Sequence, residues 1–336
     1  MLDTISHKLD FDDQFQFAGA CKEWRRVQKI YWRRFLASQS PLLVQTTPYD
    51  KKYCSFYSIP EKRVYRSKRS FYFGSYCGSS SGYLIMAGAN KRLHLMNPFT
   101  RKYIIIDTST VGDDFIHFTS HVLLAFAKGS NEFVIVASCK HFFGLHVYQS
   151  RYSNWVTYSK KGNPCKVVDF VVLHNTIYAL TYKAEICVLS LNSPSLKLLE
   201  LKNTPNIPYL WPKLLSCDGK LLVVYFTPKK SLDVYRIDLL TMSYAKLETL
   251  GDLALFYSRH KCYALSNPDK LGYESNHVYY INSFSGECEV YSASNNELIK
   301  CIVPTGRPCL HPRSKFHWLD WCFRHLHDEV DYSLVE

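Results

Sequence analysis

Three groups of side chains carry residue types that do chemistry. Residues 77–82 read Cys-Gly-Ser-Ser-Ser-Gly, and a thiol or hydroxyl framed by glycines suits a nucleophile turn or a phosphate-cradling loop. Both need a strand running into a helix, and a phosphate loop also needs a Lys-Ser/Thr ending. Here the glycines lead into "GYLIMA", an apolar strand-like run. They are therefore read as permitting tight backbone turns at a sheet edge.

The second group, near the C-terminus, is Cys309, His311, His317, Cys322, His325 and His327. These are zinc-ligand types, yet C-x-H and H-x-H spacings match no finger, and a site needs four converging ligands. Phe316, Leu319, Phe323, Leu326 and Val330 meanwhile recur at helical steps. That spacing predicts an amphipathic helix over 313–330 and no metal. The third group, the pairs His117/His121 and His141/His146, falls on strand-like or loop segments. No carboxylate pair and no Ser/His/Asp set stands out, so the chain is expected to be non-catalytic and to need no cofactor.

Composition narrows the class. Of 336 residues, 47% are hydrophobic and 21% charged, as in folded proteins. The 25 Tyr and 20 Phe favour pleated surfaces over helices. No run approaches the roughly 18 apolar residues that span a membrane. Acids at Asp3, Asp10, Asp12 and Asp13 replace the apolar core of a signal peptide. The 12 Cys show no CxxC spacing and read as reduced, mostly buried residues, so a cytosolic or nuclear location is expected and no membrane partner. The formal charge of +12 is concentrated in residues 51–110, which hold eleven basic side chains against Glu61 and Asp107. An acidic partner is one reading of that surplus, and solvated loops and outward strand faces are the plainer one.

The elements that must position these residues repeat. Five strand-like runs stop at a polar turn residue: "RLHLMN" at Asn97, "GLHVYQ" at Gln149, "ICVLSLN" at Asn192, "LDVYRID" at Asp238 and "NHVYYIN" at Asn282. Their spacing is 43 to 52 residues, and other β-rich runs flank each of them. Three or four strands per ~45 residues is what one propeller blade needs. Both strand faces are apolar, as expected when each sheet is covered on two sides. The fold class predicted is mainly β: a propeller of six or seven blades over 41–312, with material at 45–75 and 288–305 supplying one or two blades by pairing of the chain ends. A small helical segment (1–40) precedes it and a helix and tail (313–336) follow.

In the first segment, Asp12 is placed to cap a helix, and Phe17, Cys21, Trp24, Val27 and Tyr31 share one helical face. Ile5 and Leu9, one turn apart, fit a preceding short helix. "ISHKLDFDDQFQFAGACKEWRRV" resembles the second half of a plant F-box. "CGSSSGYLIM", "LHLMNPFTRK", "LGDLALFYS" and "NHVYYIN" resemble, in order, the body of plant F-box proteins with a KIB-type (Kelch-like) β-propeller. The Leu-Pro-bearing first helix of that family would fall before Met1, so the F-box is expected to be shortened.

The resemblance implies a substrate receptor of an SCF-type (cullin-RING) ubiquitin ligase. Its helices would dock on a Skp-type adaptor, and its propeller would hold a target protein. Ile5, Leu9, Phe15, Phe17, Cys21 and Trp24 are the candidate adaptor-contact residues. A stand-alone propeller with an uncoupled F-box is the alternative, and an RNA-associated propeller a third reading, although nucleic acid is not the expected partner.

Overall fold

The computed structural model describes residues 5, 9, 13, 17, 20–28, 39–45, 53–68, 75–88, 90–100, 102–112, 115, 119–139, 144–158, 166–206, 212–229, 231–283, 285–304, 320–323 and 328–331. Six sheets form the blades of a propeller. Blade 1 begins with β1 (Leu42–Gln45), β2 (Tyr53–Ser58) and β3 (Arg63–Lys68). Blade 2 is β4 (Ser75–Ser80), β5 (Tyr83–Gly88), β6 (Arg92–Met96) and β7 (Tyr103–Asp107). Blade 3 follows as β8 (Thr119–Ala127), β9 (Phe133–Cys139), β10 (Leu145–Gln149) and β11 (Asn154–Tyr158). Blade 4 is β12 (Val167–Leu173), β13 (Thr176–Thr181), β14 (Ile186–Leu189) and β15 (Leu196–Leu198). Blade 5 is β16 (Lys213–Cys217), β17 (Lys220–Thr227), β18 (Ser231–Asp238) and β19 (Ser243–Leu247). Blade 6 has β20 (Leu253–Tyr257), β21 (Cys262–Ser266), β22 (His277–Asn282), β23 (Glu287–Ser292) and β24 (Leu298–Ile302). Two late strands, β25 (Asp320–Cys322) and β26 (Glu329–Val330), join blades 1 and 3 at their inner edges.

The blades stack through six apolar cores, one per neighbouring pair. Strand β17 shows why its sequence lacks polar alternation. Leu221, Val223 and Tyr225 face blade 4, while Leu222, Val224 and Phe226 face blade 6. Side chains alternate along a strand, so a sheet covered on both faces must be apolar at successive positions. The polar residues ending the third strands close turns: Asn97 Oδ1 accepts from the Phe99 and Thr100 amides at 3.0 and 2.9 Å. Asp238 Oδ1 does the same for Leu240 and Thr241 at 2.9 and 3.2 Å. Such side chains stand in for a backbone turn.

The two ends of the chain do pair, β25 running antiparallel to β1, but the C-terminal partner is residues 320–322; the material at 288–305 expected to pair with the N-terminal end instead supplies β23 and β24 of blade 6. The helix predicted over 313–330 is not what residues 320–322 and 329–330 form, and the propeller extends past 312 to include them. Trp321 and Phe323 enter the core between blades 6 and 1, whereas Cys322 enters that between blades 1 and 2. Burial on alternating sides is the strand period, and it overrides the helical spacing of Phe323 and Val330. Blade 6 also departs from the simple order: β21 lies inside β20, and β20 pairs with β22 in parallel.

Ahead of the propeller, residues 22–28 form one short helix, and Ile5, Asp13, Phe17 and Ala20 are also helical.

Candidate functional site

Strands β25, β4, β8, β12, β16 and β21 surround the axis. Near their first residues they place a belt of polar side chains inside an otherwise apolar body. Asp320, fully buried, accepts from Ser258 Oγ at 2.6 Å, from the Trp321 amide at 2.8 Å and from Tyr76 OH at 3.0 Å. Asp169, also fully buried, accepts from the Phe170 and Leu214 amides at 2.8 and 2.9 Å. Lys213 Nζ donates to the carbonyls of Arg259 and His260, each at 2.9 Å, and Lys261 Nζ to that of Phe170 at 2.9 Å. Each of these bonds joins two different blades, except those to the Trp321 and Phe170 amides.

Burial sets the charge balance here. It raises the Asp169 carboxyl above its usual range, against the opposing pull of Lys261 and Lys213. It lowers the Lys213 ammonium, against Asp169. His121 is driven well below its ordinary value by burial and then by Lys213, His260 and Lys261, which keeps it neutral at pH 7. The gap among His121, Asp169, His260, Lys261 and Asp320 admits about one water molecule. An organic substrate does not fit, and the belt serves to lock inner strands together.

The glycine–serine loop belongs to the same stitching. Ser79 Oγ donates to the Trp321 carbonyl at 2.8 Å, and Ser80 and Ser81 Oγ donate to the Leu124 carbonyl at 3.2 and 2.7 Å. Ser81 and Gly82 form the turn with φ of 50° and 75°; a glycine takes such a φ without strain. Burial pushes the Cys77 thiol up to about 12, which leaves it protonated and unreactive. Among the described residues no three His, Cys, Asp or Glu side chains are placed to hold a metal. Cys322 is buried in β25, and Cys309, His311, His317, His325 and His327 lie outside the described residues.

The six candidate adaptor residues divide. Phe17 is buried and stacks on Trp24 with ring centroids 4.6 Å apart, and Trp24 is half-buried. Val27 and Gln28 are buried on the same short helix. Ile5 and Cys21 are exposed, Leu9 is half-buried, and Phe15 lies outside the described residues. Only part of the predicted face is thus open to a partner.

On the propeller, strand alternation puts the turn after a blade's third strand at the same end as the turn after its innermost strand. Tyr152 (63% exposed) and Leu240 (96% exposed), in the β10–β11 and β18–β19 turns, share that end. Lys62 and Arg63 lie in or beside the β2–β3 turn and Lys91 and Arg92 in or beside the β5–β6 turn, all exposed. By the same alternation these turns occupy opposite ends, so these four basic side chains do not gather into one patch. The belt residues were legible only as oddities, such as the lone Asp in "VVDFVVL" and Lys213 before "LLSC".

This ring, whose interior is filled and whose ends carry the exposed turns, is the architecture of a β-propeller interaction domain. The profile of the KIB1-4 β-propeller family matches residues 56–297, and the chain belongs to that family. No curated protein matches the chain.

Proposed function

We propose that the protein is the substrate-recognition subunit of an SCF-type cullin-RING ubiquitin ligase, working in the cytosol or nucleus and performing no catalysis itself. The helix at residues 22–28 and its neighbours dock on a Skp-type adaptor, and turns at a propeller end hold the target protein. The observation that carries this reading is the order of parts: a short amphipathic helical segment resembling an F-box, followed by a propeller of the KIB1-4 family. An apolar helical ridge suits a groove on a partner, and propeller turns offer a wide, variable surface on a rigid frame.

Co-purification with a Skp-type adaptor and cullin tests the proposal. The unaltered chain is expected to retain both, and the double variant Ile5→Asp/Cys21→Asp, changed at two exposed positions, to lose both while staying folded. Absence of adaptor binding at micromolar concentrations excludes this reading. A second reading, a propeller that binds partners without a ligase, draws on the burial of Phe17, which removes a predicted contact from the surface. Partners that co-purify without adaptor or cullin favour it.

A further inference from the structure

Among the described residues, strand β26 is the one strand that lies inside the ring of inner strands, beside the end of β8 away from the Asp320–Lys213 belt. It pairs in parallel with the last residues of β8, Phe126 and Ala127. The Phe126 amide donates to the Asp328 carbonyl at 2.8 Å, and the Lys128 amide to the Val330 carbonyl at 3.0 Å. The Asp328 amide donates to Ser81 Oγ at 3.0 Å, and that of Asp331 to the Asn175 carbonyl at 3.2 Å. Val330 is fully buried and joins the core between blades 3 and 4. The Asp328 carboxyl lies near Ser81 and feels the Lys261 ammonium.

Such a contact is how an extended peptide is held by an exposed sheet edge: main-chain bonds supply affinity, and pockets for alternate side chains supply specificity. Two features make it separable from the fold. The strand is two residues long, and β8 keeps its full antiparallel pairing with β9 on the other side. Among the described residues, the other five blades have nothing paired to the axial edge of their innermost strand.

We propose that the inner edge of β8, with the Ser81 hydroxyl and the apolar slot taken by Val330, is an exchangeable strand-binding groove. Residues 328–331 fill it in cis, and a partner protein's extended segment of the same pattern, an acidic residue with an aliphatic one two positions later, replaces them. The proposal rests on the propeller being a protein-binding body, but not on the ligase: adaptor binding may fail and leave it standing. Tethering gives the tail an effective concentration near millimolar, so free peptide competes poorly until the tail is weakened.

The test uses the full chain carrying Val330→Asp, with a fluorescent peptide of residues 328–333 as probe. Backbone amides of Phe126 and Lys128 are expected to lose exchange protection, and the peptide to bind at least tenfold more tightly than to the unaltered chain. A peptide with Asp in place of its Val is expected not to bind. A folded variant that exposes both amides and still fails to bind the probe overturns the proposal, as does one whose amides stay protected. Should Val330→Asp not fold, a chain bearing a protease site within residues 324–327 is cut after folding. Replacement of its tail by the probe supports exchange, and a tail that no excess of probe displaces overturns it.

Discussion

Asp320 gathers three donors from three places in the ring: Ser258 of the β20–β21 turn, Tyr76 of β4 and the amide of Trp321. A buried donor left without its acceptor costs about 1–3 kcal/mol, and Asp320→Ala strands the Tyr76 hydroxyl and the Trp321 amide and leaves Ser258 Oγ with the Lys261 carbonyl alone. Its stability to chemical denaturation is expected to fall by about 3 kcal/mol or more, whereas Tyr76→Phe, which removes the single hydroxyl bond to Asp320, is expected to lose about 1 kcal/mol. Equal losses in the two variants would mean that Asp320 is not the hub. The same residue-level logic disposes of the most suggestive motif in the sequence. Ser79, Ser80 and Ser81 have hydroxyls already engaged with the backbone of neighbouring blades, and a hydroxyl so held, without a base beside it, is not a nucleophile.

At the scale of elements, the closing strand β25 explains both a success and a failure of sequence reasoning. The expectation that the ends meet rests on β-rich material left over at 45–75 and 288–305, but residues 287–302 build blade 6 and the pairing strand lies further on. That residues near 320 would form the missing one was hidden, since Phe316, Leu319, Phe323, Leu326 and Val330 also satisfy a helical period. Trp321, fully buried against Phe256 with centroids 4.9 Å apart, is the strand's main anchor. Trp321→Ala is expected to destabilise by about 3–5 kcal/mol. Thermal unfolding should remain a single transition at lower temperature, because opening one blade junction exposes the cores on both sides. Two separated transitions would show that the closing strand is peripheral. The N-terminal helix gives a milder lesson: its apolar ridge was readable from spacing, but which ridge residues face inward was not.

For the whole molecule, buried charge ties stability to pH. Burial raises the Asp328 carboxyl from its ordinary 3.8 to about 6, with Lys261 and Ser81 opposing. The folded chain therefore holds this proton where the unfolded chain has released it. Its contribution is fully present below about pH 4 and is lost as pH rises through about 6. Replacing Asp328 with Asn, which stays neutral, is expected to raise stability at pH 7 by about 1–3 kcal/mol relative to pH 4. Denaturation curves at the two pH values check this. A variant that tracks the unaltered chain at both would show the carboxyl to be solvated.

What the residue order determined alone was local and periodic: β-rich runs, a repeat near 45 residues, polar turn residues at strand ends and an amphipathic start. These follow from side-chain alternation and turn chemistry, which act over a few residues. Only the tertiary structure decided that there are six blades, that residues 320–322 complete the first, and that β21 crosses inside β20. It also decided that Asp169, Lys213, Lys261 and Asp320, separated by up to 151 positions in the sequence numbering, meet on one axis. Closure of a ring is a global condition: the blade number is set by how the inter-blade cores pack around the whole circle, and no short window of sequence contains that constraint.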